Sequence, residues 1–292
     1  MASAVSAVPV ADVVPARARR RRPGLAAVGA VLVAVFVVMA IAPGLFSSQS
    51  TTALDVGRQF LPPSLDHLFG TDEVGRDIFS RVVHGARYTL SMAVAIVVLA
   101  AVVGTVLGLV AGYLGGWVDS LVMRVTDVFF SLPTFVIAMS LAVVLGRGML
   151  SLVGALSLVW WPTYTRLVRG MVLAIRERPH VRSAQAIGAG RLRILRHHIV
   201  PFLTQELVVR STQDIGYAIV AVSSLSFIGV GAQPPTPEWG LLLSGARSYI
   251  TSSWAYPLFP GLVIILATLG FALLGDALSG TSRPGSRRRG PS

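Results

Sequence analysis

The chain has 292 residues, 53% hydrophobic and 13% charged, with a formal charge of +12. Soluble domains carry about 25% charged residues, and a mean hydropathy of +0.71 competes with the nucleic-acid reading that such a charge would invite in a soluble protein. All 25 basic residues are arginine and cysteine is absent, which excludes a P-loop lysine, Schiff-base chemistry, thiol nucleophiles, disulfides and cysteine-ligated clusters.

A bilayer core about 30 Å thick takes about 20 apolar residues of helix, and the chain offers six candidate spans. Residues 1–24 form a basic arm with Arg17, Arg19, Arg20, Arg21 and Arg22. Leu25–Phe46 follows, uncharged for 22 residues; signal-peptide cores run to about 7–15 residues, so this run reads as an uncleaved first helix. Residues 47–88 form a hydrophilic segment punctuated by Pro62, Pro63 and Gly70, expected to be irregular and to lead into a short amphipathic helix around Asp77–Arg87. The core, 89–280, then holds Leu90–Tyr113, Val128–Leu145, Met149–Tyr164, Val208–Gly231 and Leu258–Leu274. Trp160 and Trp161 suit an aromatic belt near the end of the fourth span. A second hydrophilic segment, 165–200, separates spans four and five, and a basic tail occupies 281–292. The expected fold class is therefore all-α, a polytopic membrane protein of six transmembrane helices.

The arginines give this topology a direction. With both ends in the cytoplasm, eighteen lie inside and six outside, and Arg210 lies within a span. Outside, six acids (Asp55, Asp66, Asp72, Glu73, Asp77 and Glu238) cancel the six arginines. That asymmetry is the positive-inside bias, so the charge reports orientation and contact with membrane lipids, with no nucleic-acid partner expected.

Two patterns lie within the spans. Ala100, Gly104, Gly108 and Gly112 recur every four residues on the second span, a face on which two backbones can approach closely; it suits either packing inside the chain or contact with a partner. Glu206, Arg210 and Asp214 stand four apart at the start of the fifth span. They suit either an ion-pair ladder at the bilayer rim or the wall of a passage.

The inside segment 165–200 is the most informative. Pro179 suits a first helical position and Gly188 a C-terminal stop, so a short helix over Pro179–Ile187, a break at 188–190 and a second helix into the fifth span are expected. Val181, Ala184 and Ile187 form a narrow apolar stripe among arginines. That shape fits a helix lying along the membrane with one face free for a protein groove.

This segment resembles the EAA loop of ABC-importer permeases, with Arg182-Ser183-Ala184 at the E-A-A positions, then Gly188, then Ile199-Val200-Pro201. Arg182 and Ser183 replace the usual Glu and Ala. Further segments resemble the dipeptide/oligopeptide/nickel branch and its C-type subunit: Gly70-Thr71-Asp72 with Gly75-Arg76-Asp77 and Ser80-Arg81, then Gly112-Tyr113-Leu114-Gly115-Gly116, Leu225-Ser226-Phe227-Ile228-Gly229, Pro237-Glu238-Trp239-Gly240 and Leu274-Gly275-Asp276. Ala272 stands where the branch usually has Asn.

The resemblance implies the type I importer permease fold. It also implies a non-catalytic subunit, working with a homologous second permease, two ATPase subunits that hold ATP and Mg, and an extracytoplasmic substrate-binding protein. The substrate class it implies is di- or oligopeptides, with nickel or glutathione as alternatives. Val181, Arg182, Ser183, Ala184, Ile187 and Gly188 would form the coupling helix, with His198 and Pro201 in its link to the fifth span. No cofactor is expected on this chain. A secondary transporter, the rival class, normally places carboxylates near the bilayer midplane, and the middle parts of these spans lack them.

Overall fold

The computed structural model describes residues 23–281; the basic arm up to residue 22 and the tail from residue 282 lie outside it. Ten α-helices and no strand occur among the described residues. They are α1 (Pro23–Ile41), α2 (Ile78–Leu114), α3 (Gly116–Ser131), α4 (Thr134–Val144), α5 (Met149–Arg176), α6 (Pro179–Ala186), α7 (Arg191–Ile194), α8 (Val200–Phe227), α9 (Trp239–Ala246) and α10 (Ala255–Thr281).

α2 is the axis of the bundle. It packs along α5 and also touches α1 and α8, while α10 lies against α8 and α1. Its small residues explain the close approach: Ala100, Gly104, Gly108 and Gly112 are all buried. A Cβ on Gly104 would sit 2.5 Å from the Trp161 carbonyl oxygen, and one on Gly108 would sit 2.7 Å from that of Thr165. The glycine stripe therefore faces α5 of the same chain. The main apolar core joins α1, α2, α8, α9 and α10, with Ile78, Val83, Ala93, Ile219, Trp239 and Tyr256 among its buried members.

Several elements differ from the sequence expectation. Residues 77–113 were expected as a short amphipathic helix followed by a separate span, but Asp77 caps one unbroken helix of 37 residues, which reaches about 55 Å at 1.5 Å per residue. Residues 78–89 bury Val82, Val83 and Ala86, and nothing between Arg87 and Leu90 breaks helical geometry. The third span is not one helix: α3 and α4 meet at 92°. Pro133 supplies no N–H and forces Leu132 into an extended conformation, with φ −112° and ψ 146°. The fourth span runs twelve residues beyond Tyr164, because Val168, Val172 and Ile175 bury their side chains as α5 continues. α8 starts at Val200, eight residues before the expected span.

Three helices, α1, α2 and α10, are long and apolar enough to cross a membrane, and the bent α3–α4 pair makes a fourth candidate. α5 and α8 have 28 residues each, but Arg166 and Arg169 interrupt the first and Glu206, Arg210 and Asp214 the second. The protein is all-α and multi-pass.

Candidate functional site

One end of the bundle is capped by α6, α7 and the turn between them. Pro179 occupies the first turn of α6, where a missing N–H leaves no hydrogen bond unmade. The helix ends as Gly188 takes a φ of +81°, a conformation suited to glycine at a helix stop. The Gly188 and Ala189 amides then donate to the carbonyls of Gln185 and Ala184, each at 3.0 Å. A π-type turn, Leu195–Ile199, feeds α8, with Pro201 in that helix's first turn.

The apolar stripe of α6 points inward. Val181 and Ala184 are buried in a cluster with Val168, Val172, Ile175, Ile194, Ile199 and Leu203. Of the three residues of that stripe, Val181 and Ala184 face inward and Ile187 does not. With its helix ended at Ala186, Ile187 escapes that cluster and is 85% exposed. The free face carries His180, Arg182, Ser183, Gln185, Ala186 and Ile187.

Electrostatics and ring contacts brace this cap. Glu177 accepts from Arg182 and, at 3.3 Å, from Arg176; the Arg182 hydrogen bond is the main reason its carboxyl lies below the usual range. Arg176 also donates to the Gly112 carbonyl at 3.2 Å, tying α5 to the end of α2. A cleft of about 420 Å³ opens here between Tyr113, Arg176, Glu177, Arg182, Gln185 and Arg191. The His198 ring lies 6.2 Å from that of His180, which lies 5.4 Å from Phe202. α6 is therefore held both to α5 and to the start of α8.

Deeper in the bundle, Arg210 Nε donates to Asp214 Oδ2 at 3.1 Å. Asp214 is fully buried, close to where Tyr164 donates to Ser211 at 3.3 Å. Of the two pairings that the Glu206–Arg210–Asp214 spacing allows, this one forms; Glu206 is exposed. Next to them, Gln213 donates to Asp276 of α10 at 3.1 Å.

The opposite end holds polar contacts that sequence spacing did not reveal. Asp72, with no exposed surface, accepts from Arg76 and Arg81 and caps the turn through the Val74 and Arg76 amides. Asp77 accepts from the Ser80 amide at 2.6 Å and contacts His67 Nδ1 at 2.9 Å. Glu238, the N-cap of α9 in the segment that follows α8, is fully buried outside the long helices. It accepts from the Gly240 and Leu241 amides and from the Thr89 hydroxyl, at 3.0, 2.8 and 3.1 Å. Burial raises its carboxyl above the usual value, and the two amides offset this in part. Trp239 Nε1 donates to the Val82 carbonyl at 2.8 Å. The Pro237–Gly240 motif thus locks the start of α9 to Val82 and Thr89 of α2, while the Gly70–Arg81 motif braces the turn that leads into α2.

The ties between α3 and α5 were also missed. Arg169 grips Asp119 through Nε and Nη2, and Arg166 meets Asp127 at 2.6 Å. These partners lie 50 and 39 residues apart, so no local pattern could pair them. Among the described residues no group of three His, Cys, Asp or Glu side chains is placed to hold a metal ion.

Known proteins that this chain is similar to are transport system permeases. The chain is 43% identical over 261 residues to the glutathione transport system permease protein of Shigella flexneri, covering 89% of this chain and 86% of that one. It is 38% identical over 254 residues to the probable D,D-dipeptide transport system permease protein of Escherichia coli K12, covering 87% and 85%. The dipeptide transport system permease protein of Alkalihalophilus pseudofirmus is 39% identical over 254 residues, covering 87% and 84%. Residues 104–288, from the glycine stripe of α2 past α10, match the binding-protein-dependent transport system inner membrane components, and the chain belongs to that family.

Proposed function

We propose that this chain is one permease subunit of an ATP-driven importer that moves di- or oligopeptides into the cell, with α6 as the lever that an ATPase drives. The observation that carries this reading is the α6 cap. Its apolar face is sunk into α5, α7 and α8, so a force on its exposed face moves those helices together. The permease names of the relatives support peptide-like cargo; glutathione, itself a peptide, lies within that class.

In this reading the chain crosses the membrane six times, through α1, α2, the bent α3–α4 pair, α5, α8 and α10, with both termini and α6 in the cytoplasm. The arginine asymmetry supports that orientation. The α6 face with Arg182, Ser183, Gln185 and Ile187 meets the ATPase, and the Glu238 end meets the binding protein. The remaining partners are a homologous second permease and two ATPase subunits that hold ATP and Mg.

The test is reconstitution of this chain in liposomes with its second permease, ATPases and binding protein. Uptake of radiolabelled dialanine is expected only with ATP and with every subunit present. Uptake by this chain alone, driven by an ion gradient, would overturn the reading in favour of a secondary transporter.

A further inference from the structure

Arg210 stands out because the chain maintains a charge at a depth where charge is costly. Its partner Asp214 has no exposed surface, and one of its oxygens, Oδ1, meets no donor. A buried ion pair seldom stabilises a fold more than the apolar residues that could replace it, so fold stability does not account for this one.

Its geometry does suggest a use. Asp214 takes the Nε edge of the guanidinium at 3.1 Å. The terminal Nη1 and Nη2 groups have no acceptor among the described residues, and the side chain is 38% exposed. Glu206, Arg210, Tyr217 and Val220 recur at helical spacing on one face of α8. Glu206, Tyr217 and Val220 are exposed there, while Ala218, Ile219 and Val222 are buried on the other side. Asp214 thus fixes the guanidinium at its inner edge and leaves the outer edge open along an uncovered helix face. A planar fork of N–H donors matches a carboxylate in two parallel hydrogen bonds.

Building on the peptide-importer reading, we propose that Arg210 is a carboxylate-reading residue on the wall of the passage, held by Asp214 to meet the C-terminal carboxylate of a peptide in transit. Asp214 lies buried at the inner edge, so it offsets part of the guanidinium's charge while the outer N–H groups still favour an anion. The carboxylate therefore gains directional hydrogen bonds without meeting a lone cation that would trap it, as a transport path requires.

The natural lack of cysteine makes this testable in the assembled complex. Tyr217→Cys, two turns from Arg210, is labelled with an anionic sulfonate thiosulfonate and a cationic trimethylammonium thiosulfonate, and modification is read on this chain after separation. Both reagents are expected to react, the anionic one with an advantage that falls about tenfold when Arg210→Gln and Asp214→Asn are added together. That double change leaves no unpaired buried charge, and Arg210→Lys with Asp214 intact is expected to keep the advantage. Millimolar dialanine is expected to slow labelling, and dialanine amide is not.

No reaction with either reagent would mean that another subunit covers this face, and would overturn the proposal. So would an unchanged reagent ratio, or equal protection by acid and amide. ATP-driven uptake by the unmodified complex is scored separately. Absent uptake with carboxylate-specific protection overturns the importer reading alone, whereas normal uptake with flat labelling overturns only the role of Arg210.

Discussion

Glu238 shows how one buried side chain organises an end of the molecule. Its carboxyl receives two amides at the start of α9 and the Thr89 hydroxyl from α2, so three donors converge where no water reaches. Glu238→Ala strands all three, and each buried unsatisfied donor costs about 1–3 kcal/mol; a large fall in melting temperature in detergent is the expected outcome. Because burial raises the carboxyl's folded-state pKa above its reference value of 4.5, the folded state holds this proton more tightly than the unfolded chain. Its contribution is therefore fully present below the unfolded pKa and is lost as pH rises through the folded one. Glu238→Gln removes that titration. Melting curves from pH 4.5 upwards should fall more steeply for the native chain than for Glu238→Gln, and identical slopes would refute the assignment.

At the scale of elements, two helix faces decide how the bundle closes. Gly108 of α2 lies against α5, where a Cβ would already meet the Thr165 oxygen at 2.7 Å and Val168 Cβ at 2.8 Å. Gly108→Leu must push two backbones apart. Overpacking of this kind costs about 1–3 kcal/mol or more, so the isolated chain should melt earlier in detergent, before any partner is considered. On α6, Val181 is buried and Ile187 is not, so aspartate acts differently at the two sites. Val181→Asp places a charge in an apolar cluster and should loosen the cap, measured as faster proteolysis between α5 and α8. Ile187→Asp should leave that cleavage pattern unchanged and lower ATPase co-purification with the complex. Equal proteolysis in both variants would contradict the inward-facing stripe.

The whole molecule reads as part of a larger assembly. Large apolar side chains on α2, α4 and α10, among them Val102, Val136, Val143 and Ile265, stay exposed, as lipid or another membrane subunit would require. The chain contains no P-loop, since it has no lysine. Purified alone it should hydrolyse no ATP; phosphate release above background from a preparation free of ATPase subunits would contradict that.

Composition and local pattern by themselves determined the class of this protein. Long apolar runs place the helices α1, α2, α5, α8 and α10, because the bilayer sets the length and hydropathy of any span. Pro179 and Gly188 bound α6 to within a residue, because each acts through its own backbone geometry. The small-residue stripe and the Glu206–Arg210–Asp214 ladder are helical spacings, and spacing alone identifies a shared face. What that face meets was decided only in three dimensions: α5 for Gly104 and Gly108, the chain's own core for Val181 and Ala184, and Asp214 rather than Glu206 for Arg210. The bend at Pro133 was written in the sequence but hidden by the continuous apolarity around it. The grip of Arg169 on Asp119 and the convergence of Thr89 and Trp239 around Glu238 join residues far apart in the chain. Such contacts depend on how helices pack, and packing is a property of the folded bundle, not of any single segment.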